Sequence, residues 1–211
     1  MEIELIDKMG TDLTVVNAAR VSFSKRKFTF EESDEKLIEY LAKHNHWSPF
    51  AHCSLQFRIK APIFVARQLV KHQVGLVWNE TSRRYVDDEP EFYIPFMWRK
   101  RAKNIKQGSS SEEIEWDITD FVKKSKELYK EMIDEDIAPE LARMILPQNM
   151  MTEWYWSGTL YAFARICALR LEEHSQVETR QVAKEIHYHS KHAFPKSWKY
   201  LLTNVDNLDT I

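Results

Sequence analysis

From Met1 to Lys8 apolar residues alternate with charged ones, the period-two pattern of a half-buried strand, and Asp12 to Arg20 then reads as a short helix with Asp12 as its N-cap. Lys25 to Ser33 is a polar connection. Leu37, Ile38 and Leu41 share a face of a helix expected over Glu35 to His44, which stops before the turn-like Asn45-His46-Trp47-Ser48-Pro49. Cys53, Leu55, Phe57 and Ile59 alternate with Ser54, Gln56, Arg58 and Lys60, which predicts a strand with one buried face. Pro62, at a first helical position, opens a helix to about His72, and the chain leaves that helix through Gly75. Ser82 to Val86 and Glu91 to Phe96 read as short strands around an Asp-Asp-Glu-Pro turn.

The second half is patterned as helix. Residues 97–111 form a basic, polar stretch ending in Gly108-Ser109-Ser110-Ser111, expected as a mobile excursion. Ser110 and Glu113 make a capping box before a helix carrying Ile114, Ile118, Phe121, Val122, Tyr129 and Met132. Further helices are expected over Pro139 to Leu146, Thr152 to His174 and Ser175 to His192, with Pro147 and Pro195 as stops. No internal repeat interrupts this order. The expected class is α+β: a small, mostly antiparallel sheet with helices packed on it, a helical C-terminal half, and a single domain over 1–211.

Composition narrows the function classes. The chain has 211 residues and a net charge of −2, which argues against a whole-surface binder of nucleic acid or membrane. Its longest purely apolar stretch, Ala61 to Ala66, is too short to span a bilayer, and the opening residues lack a basic signal-peptide start, so a cytoplasmic protein is expected. Four glycines cannot compose a GxGxxG or Walker loop, so any phosphate must be held by side chains and helix ends. Cys53 and Cys167 both sit in core-like patterns and read as inert thiols. The eight histidines show no HExxH spacing, and no metal is expected.

The densest chemistry lies between Arg67 and Arg84. Arg67 and Lys71 are four apart, as are Gln68 and His72, so on a continuous helix two rows would project toward its C-terminal end. Arg83 and Arg84 supply forked donors suited to phosphate, and Asn79, Glu80 and Ser82 suit a polar heterocycle or ribose. The same stretch also reads as a solvated helix face followed by a surface hairpin. Arg143 emerges beside Met144, Ile145 and Leu146. Arg170 sits at the edge of the apolar stripe of Phe163, Cys167 and Leu171, where it calls for an anionic partner, either Glu173 or a ligand. The basic tract Arg99-Lys100-Arg101, next to Trp98, reads better as a loop balanced by Glu112, Glu113 and Glu115 than as a nucleic-acid contact.

These pieces resemble the flavin-dependent thymidylate synthases over nearly the whole chain. The matching segments are 17–23 (NAARVSF), 37–41 (LIEYL), 44–50 (HNHWSPF), 61–68 (APIFVARQ), 79–85 (NETSRRY), 91–95 (EFYIP) and 142–147 (ARMILP), in that order. The family signature Arg-His-Arg reads Lys71-His72-Gln73 here, with Ser82 one residue further along than in the commonest spacing, and Ala51 stands where the family often has glutamate. Lysine keeps the charge without the bidentate fork and glutamine loses it, so contacts at this point are expected to be rearranged.

The resemblance implies FAD as cofactor, methylenetetrahydrofolate and NADPH as co-substrates, and reductive methylation of dUMP in a homotetramer with sites at subunit junctions. It implies that Gln68, Lys71, Glu80, Ser82, Arg83, Arg84, Arg143 and Arg170 hold dUMP. FAD would meet Ser22, His46, Ser48, Lys71, His72, Gln73, Asn79, Glu80, Thr159 and Arg165. Arg170 is the candidate cation that makes the pyrimidine nucleophilic by stabilising an ionised N3, and Ser82 the residue that orients substrate. A related hydroxymethylase and a nucleotide- or flavin-binding homologue without turnover are the alternatives.

Overall fold

Trp154 and Trp156 are buried while the alternating Glu153 and Tyr155 face outward, and that alternation makes residues 151–159 a strand. A computed structural model describes residues 1–103 and 108–202. Its elements are β1 (Glu2–Met9), α1 (Asp12–Arg20), α2 (Glu32–Lys43), α3 (Ser48–Ala51), β2 (Ser54–Pro62), α4 (Ile63–Leu69), β3 (Leu76–Glu80), β4 (Trp98–Arg101), β5 (Ser109–Ile114), α5 (Thr119–Asp134), α6 (Pro139–Ala142), β6 (Met151–Thr159), α7 (Leu160–Arg170), α8 (Val177–Ala193) and α9 (Pro195–Leu201). The main sheet is antiparallel with order β1-β2-β6-β3, and β4 pairs with β5 in a separate ribbon. The α+β class is therefore the observed one.

One face of the sheet carries the core. Leu55, Phe57, Ile59, Trp154 and Trp156 lie against Phe163, Ile166, Val182 and Ile186 of α7 and α8. Trp78 stacks on Trp154 with centroids 4.4 Å apart and meets Trp156 edge-on, which continues the aromatic packing onto β3. The opposite face is polar: Arg58 makes a bidentate pair with Glu153 at 2.9 and 3.0 Å, and Gln56 donates to Ser157.

Several expectations are corrected. The first part of the helix expected over Thr152 to His174 is β6, because Trp-Tyr-Trp with period-two burial favours a strand, and the helical C-terminal half is interrupted there. The Ser110 capping box does not form. Ser110 Oγ instead donates to the Lys100 carbonyl and accepts from Glu112 N–H, within the ribbon, and α5 starts at Thr119, whose N–H the Asp117 carboxylate accepts. Of the expected excursion, 98–101 and 109–111 are strand, and 104–107 lie outside the described residues. Residues 82–86 form a turn, with Tyr85 and Val86 N–H groups returning to Ser82 O. Phe92 makes a single bridge to Met150 rather than a strand. Thr11, not Asp12, precedes α1 as N-cap, and the Asp12 carboxylate accepts from the Lys196 and Ser197 N–H groups at 3.0 and 2.8 Å. Asp12 thus caps α9, which Pro195 opens rather than stops.

Ion pairs lock the helices at both ends of this layer. Asp34, fully buried, accepts from Arg20, Lys27 and the Glu31 N–H. Glu35 takes Lys196 at 2.6 Å, Lys199 at 3.3 Å and the Tyr200 hydroxyl at 3.1 Å, tying α9 to α2.

Two outcomes follow. A Cβ added at Gly158 would lie 2.5 Å from Leu76 Cδ2 and 2.6 Å from the Gly75 carbonyl, so G158A forces β3 off β6 and is expected to cost about 1–3 kcal/mol in a denaturant titration. Lys196 is the main cause that holds the Glu35 carboxyl down at about 2 against its ordinary 4.5. A depressed carboxylate stabilises above its unfolded value and loses that contribution as pH falls through its folded value. The difference in melting temperature between the native chain and E35Q should therefore be full near neutrality and shrink from pH 4.5 toward 2.

Candidate active site

α4 follows β2 directly at Pro62 and ends at Leu69, so Lys71 and His72 do not continue the rows expected on a helix to His72. The chain turns instead, with His72 N–H donating to Leu69 O at 3.0 Å. That turn aims the His72 ring at the end of α7, where Arg170 Nε donates to His72 Nε2 at 3.1 Å and Arg170 Nη2 reaches the Gln68 carbonyl at 3.5 Å. A guanidinium only donates, so His72 Nε2 carries the lone pair and its proton sits on Nδ1. Burial, followed by the charges of Arg170 and Arg165, holds this imidazole below its usual 6.5.

Among the described residues Arg170 pairs with no carboxylate, and the expected Glu173 partner is not used: the Glu173 backbone carbonyl accepts from Arg180. Arg170 and Gln68, with Gln176, line a depression of about 500 Å³. The Gln68 amide is itself held, Oε1 accepting from the Thr179 hydroxyl at 3.2 Å and Nε2 donating to Gln176 Oε1.

The other residues expected around a nucleotide gather at the far end of β3. Glu80 accepts from the Thr152 hydroxyl at 2.7 Å and from Trp78 Nε1 at 3.1 Å, and with Arg83 and Arg143 it lines a cleft of about 400 Å³. Ser82 Oγ accepts from the Arg84 N–H at 3.3 Å. Arg83 donates to the Asp88 carbonyl. The Arg84 guanidinium lies 5.5 Å over Tyr85 and 3.6 Å from Glu140, and Arg143 Nε donates to Glu140 O at 3.3 Å. This cleft and the Arg170 depression share no lining residue.

A third group flanks α7. Trp47, 56% exposed, tilts over Tyr161 at 6.3 Å between the exposed His46 and Ser48, and Tyr161, Arg165 and Lys43 line a pocket of about 310 Å³. Thr159 Oγ1 accepts from Ala162 N–H and caps α7. Ser22, Lys71, Gln73 and Asn79 are exposed. Both thiols are buried, and desolvation raises Cys53 to about 11 and pushes Cys167 further up, which keeps them protonated.

Sequence reasoning missed Gln176, Glu178 and Thr179, which open α8 behind Gln68, and Arg99, which donates to Glu178 at 2.6 Å. Glu178 was detectable in principle as a carboxylate on the buried face of an amphipathic helix, a position that demands a partner.

A family model described as thymidylate synthase complementing protein matches residues 4–196. A flavin-dependent thymidylate synthase of Thermus thermophilus is 39% identical over 200 residues, covering 93% of this chain and 73% of that protein. One of Kosmotoga olearia is 41% identical over 189 residues, covering 86% and 81%. Among solved structures, a UMP/dUMP methylase PolB from Streptomyces cacaoi, bound with 5-Br dUMP, superposes with a TM-score of 0.84 at 28% identity over 96% of this chain and 94% of that one.

The His72 geometry predicts a titration. Its ring should titrate below 6.5, and removing the neighbouring cation in R170A should raise that value, because only burial and the more weakly acting Arg165 then oppose protonation. Histidine ring NMR across pH, with H72Q to assign the resonance, measures both; an unchanged midpoint in R170A would contradict the contact.

Proposed function

The chain belongs to the thymidylate synthase complementing protein family, that of the flavin-dependent thymidylate synthases, and from that premise we propose reductive methylation of dUMP to dTMP. Methylenetetrahydrofolate gives the carbon, and NADPH is the ultimate reductant. FAD, once reduced, supplies the hydride that completes the methyl group. The observation that carries the reading is Arg170, fixed by two neutral acceptors at the edge of a depression it shares with Gln68.

Arg170 makes no ion pair among the described residues, though Glu172 lines the same depression, so its guanidinium can stabilise an ionised pyrimidine N3 and raise electron density at C5. That route needs no cysteine adduct, in keeping with two buried, protonated thiols. Gln68 reads the base edge beside it. Arg84, Arg143 and Arg83 take the phosphate as side-chain donors, Ser82 orients the nucleotide, and Glu80 and Lys71 complete the contacts. Among the described residues Ser82 has no histidine base as a hydrogen-bond partner, so it orients rather than attacks.

The residues present fit FAD. An exposed tryptophan tilted over a tyrosine offers a ring surface, and Lys43 and Arg165 place two cations in the adjoining pocket, which suits a diphosphate in a chain without a glycine loop. Ser22, His46, Ser48, Lys71, His72, Gln73, Asn79, Glu80, Thr159 and Arg165 would hold it. His72, neutral with its proton on Nδ1, adds a donor without adding charge.

Gln68 and Arg170 line one depression and Glu80, Arg83 and Arg143 another, so each is half a nucleotide site. A homotetramer in which one subunit's Arg170 face meets another's Arg143 face completes both, and this is the assembly we infer.

The test is direct. Purified protein should be yellow with bound flavin and convert dUMP to dTMP only when folate donor and NADPH are both supplied. R170A and R143A should each fold, retain flavin and lose at least about tenfold in turnover, the scale of one lost charged contact. Mixing the two variants, unfolded and refolded together, should restore turnover by forming sites with both arginines intact. No recovery would place both arginines in one chain's site.

A further inference from the structure

A glutamate at the end of a strand ordinarily has no fixed direction, because its side-chain torsions turn freely in solvent. Glu80, exposed at the end of β3, is held. Trp78 lies two residues before it, on the same face of the strand, and Thr152 lies two residues before Trp154, which stands opposite Glu80 in the β3–β6 register. The Thr152 hydroxyl donates to Glu80 Oε1 at 2.7 Å and Trp78 Nε1 donates to Oε2 at 3.1 Å, one neutral donor to each oxygen. Both donors are themselves fixed. Thr152 is 8% exposed, and the Trp78 indole is stacked on Trp154 and set edge-on to Trp156. The backbone is anchored too, since Thr81 N–H donates to the Glu153 carbonyl at 2.9 Å just past the strand end.

The cleft decides what this carboxylate is held for. Arg83 and Arg143 line it with Glu80, and their guanidinium groups donate to the backbone carbonyls of Asp88 and Glu140. Each Glu80 oxygen receives one of these two neutral donors and keeps a lone pair for a ligand. A carboxylate only accepts, so it repels the phosphate that the arginines attract and calls for a donor beside it. The sugar of dUMP carries one free hydroxyl, at C3′. We propose that Thr152 and Trp78 are positioning residues that hold the Glu80 carboxylate to accept that 3′-hydroxyl, and so place the sugar relative to the phosphate. The proposal rests on the reading of Glu80 as a nucleotide contact. A carboxylate ordered beforehand keeps the full contribution of that charged hydrogen bond, whereas a free one loses part of it to freezing its own torsions.

The experiment compares equilibrium binding of dUMP and of 2′,3′-dideoxyuridine monophosphate, which lacks only the 3′-hydroxyl, to the flavin-loaded protein by calorimetry. The native chain is set beside T152V, T152S, W78F, E80A and T152V/E80A, with melting temperature and flavin content as checks of folding. The native protein should prefer dUMP by roughly tenfold, the scale of a hydrogen bond to a charged group. In T152V that preference should shrink by about threefold or more through weaker dUMP binding alone, and T152S should restore it, since one hydrogen bond is removed or kept. A general loss of structure would weaken both nucleotides alike. T152V/E80A should be no worse than E80A, because Thr152 acts only through Glu80. If T152V fails to fold, W78F removes the other donor while keeping an aromatic ring, and should narrow the preference in the same way. A native-like preference in the folded variant, or additive effects in the double variant, overturns the positioning role. An E80A protein that still distinguishes the two nucleotides as the native chain does overturns instead the reading of Glu80 on which it rests.

Discussion

β6 is hydrogen-bonded on both sides, to β2 and to β3, and this double pairing fixes where the chemistry can be. The register sets Pro62 opposite Met151 at one end and Ser54 opposite Thr159 at the other. α4 leaves the first end and α7 the second, each without a loop, so helices springing from opposite ends of an antiparallel pair return toward one another. Their C-terminal ends meet, and the contact made there is Arg170 with His72 and the Gln68 carbonyl. The start of α7 is clamped from both neighbours, Thr159 N–H to Gly75 O and Leu160 N–H to Cys53 O. Gly158 makes the β3 side of that clamp possible, because only a residue without Cβ leaves room for the Gly75 carbonyl and Leu76.

The parts legible in the sequence were those whose burial period had a clear boundary. β2 and α4 were readable because alternation gives way to Pro62, and α1 and α5 because an apolar stripe runs between polar turns. β6 escaped because little punctuates its passage into α7, where Trp154-Tyr155-Trp156 runs through Ser157-Gly158-Thr159 into Leu160, and β6 takes its identity from β2 and β3, both distant in sequence. The β4–β5 ribbon escaped for a related reason, since cross-strand contacts such as Lys100 with Glu112 decide it, and a serine run followed by glutamates satisfies a helix start equally well. In the site, residue types and order were legible by resemblance. The join of Arg170 to His72, 98 positions apart, was not, and neither was Thr179, whose hydroxyl gains meaning only beside the Gln68 amide.

The charge of Arg170 is presented by withholding an ion-pair partner. Several other cations are paired: Arg20 and Lys27 with Asp34, Arg58 with Glu153, Arg99 with Glu178. Arg170 is oriented by a neutral imidazole and a backbone carbonyl, which fix its direction without cancelling its charge. A carboxylate in either place would hold the guanidinium as firmly and weaken its pull on a developing anion. The lowered affinity of His72 for protons belongs to the same arrangement, because a protonated ring could not accept from Arg170 Nε.

The amide of Gln68 is treated in the same way. Its two ends are engaged by residues at the start of α8, Oε1 by the Thr179 hydroxyl and Nε2 by Gln176 Oε1, while the buried carboxylate of Glu178 is taken by Arg99. Contacts from α8 thus hold the amide while α7 presents the guanidinium, and each group is left partly unsatisfied. Such groups are costly in a folded chain unless a ligand completes them, and a base that completes only one of the two leaves the other unpaired. Gln68 and Arg170 line the same depression, so a ligand that completes one of them is presented to the other as well.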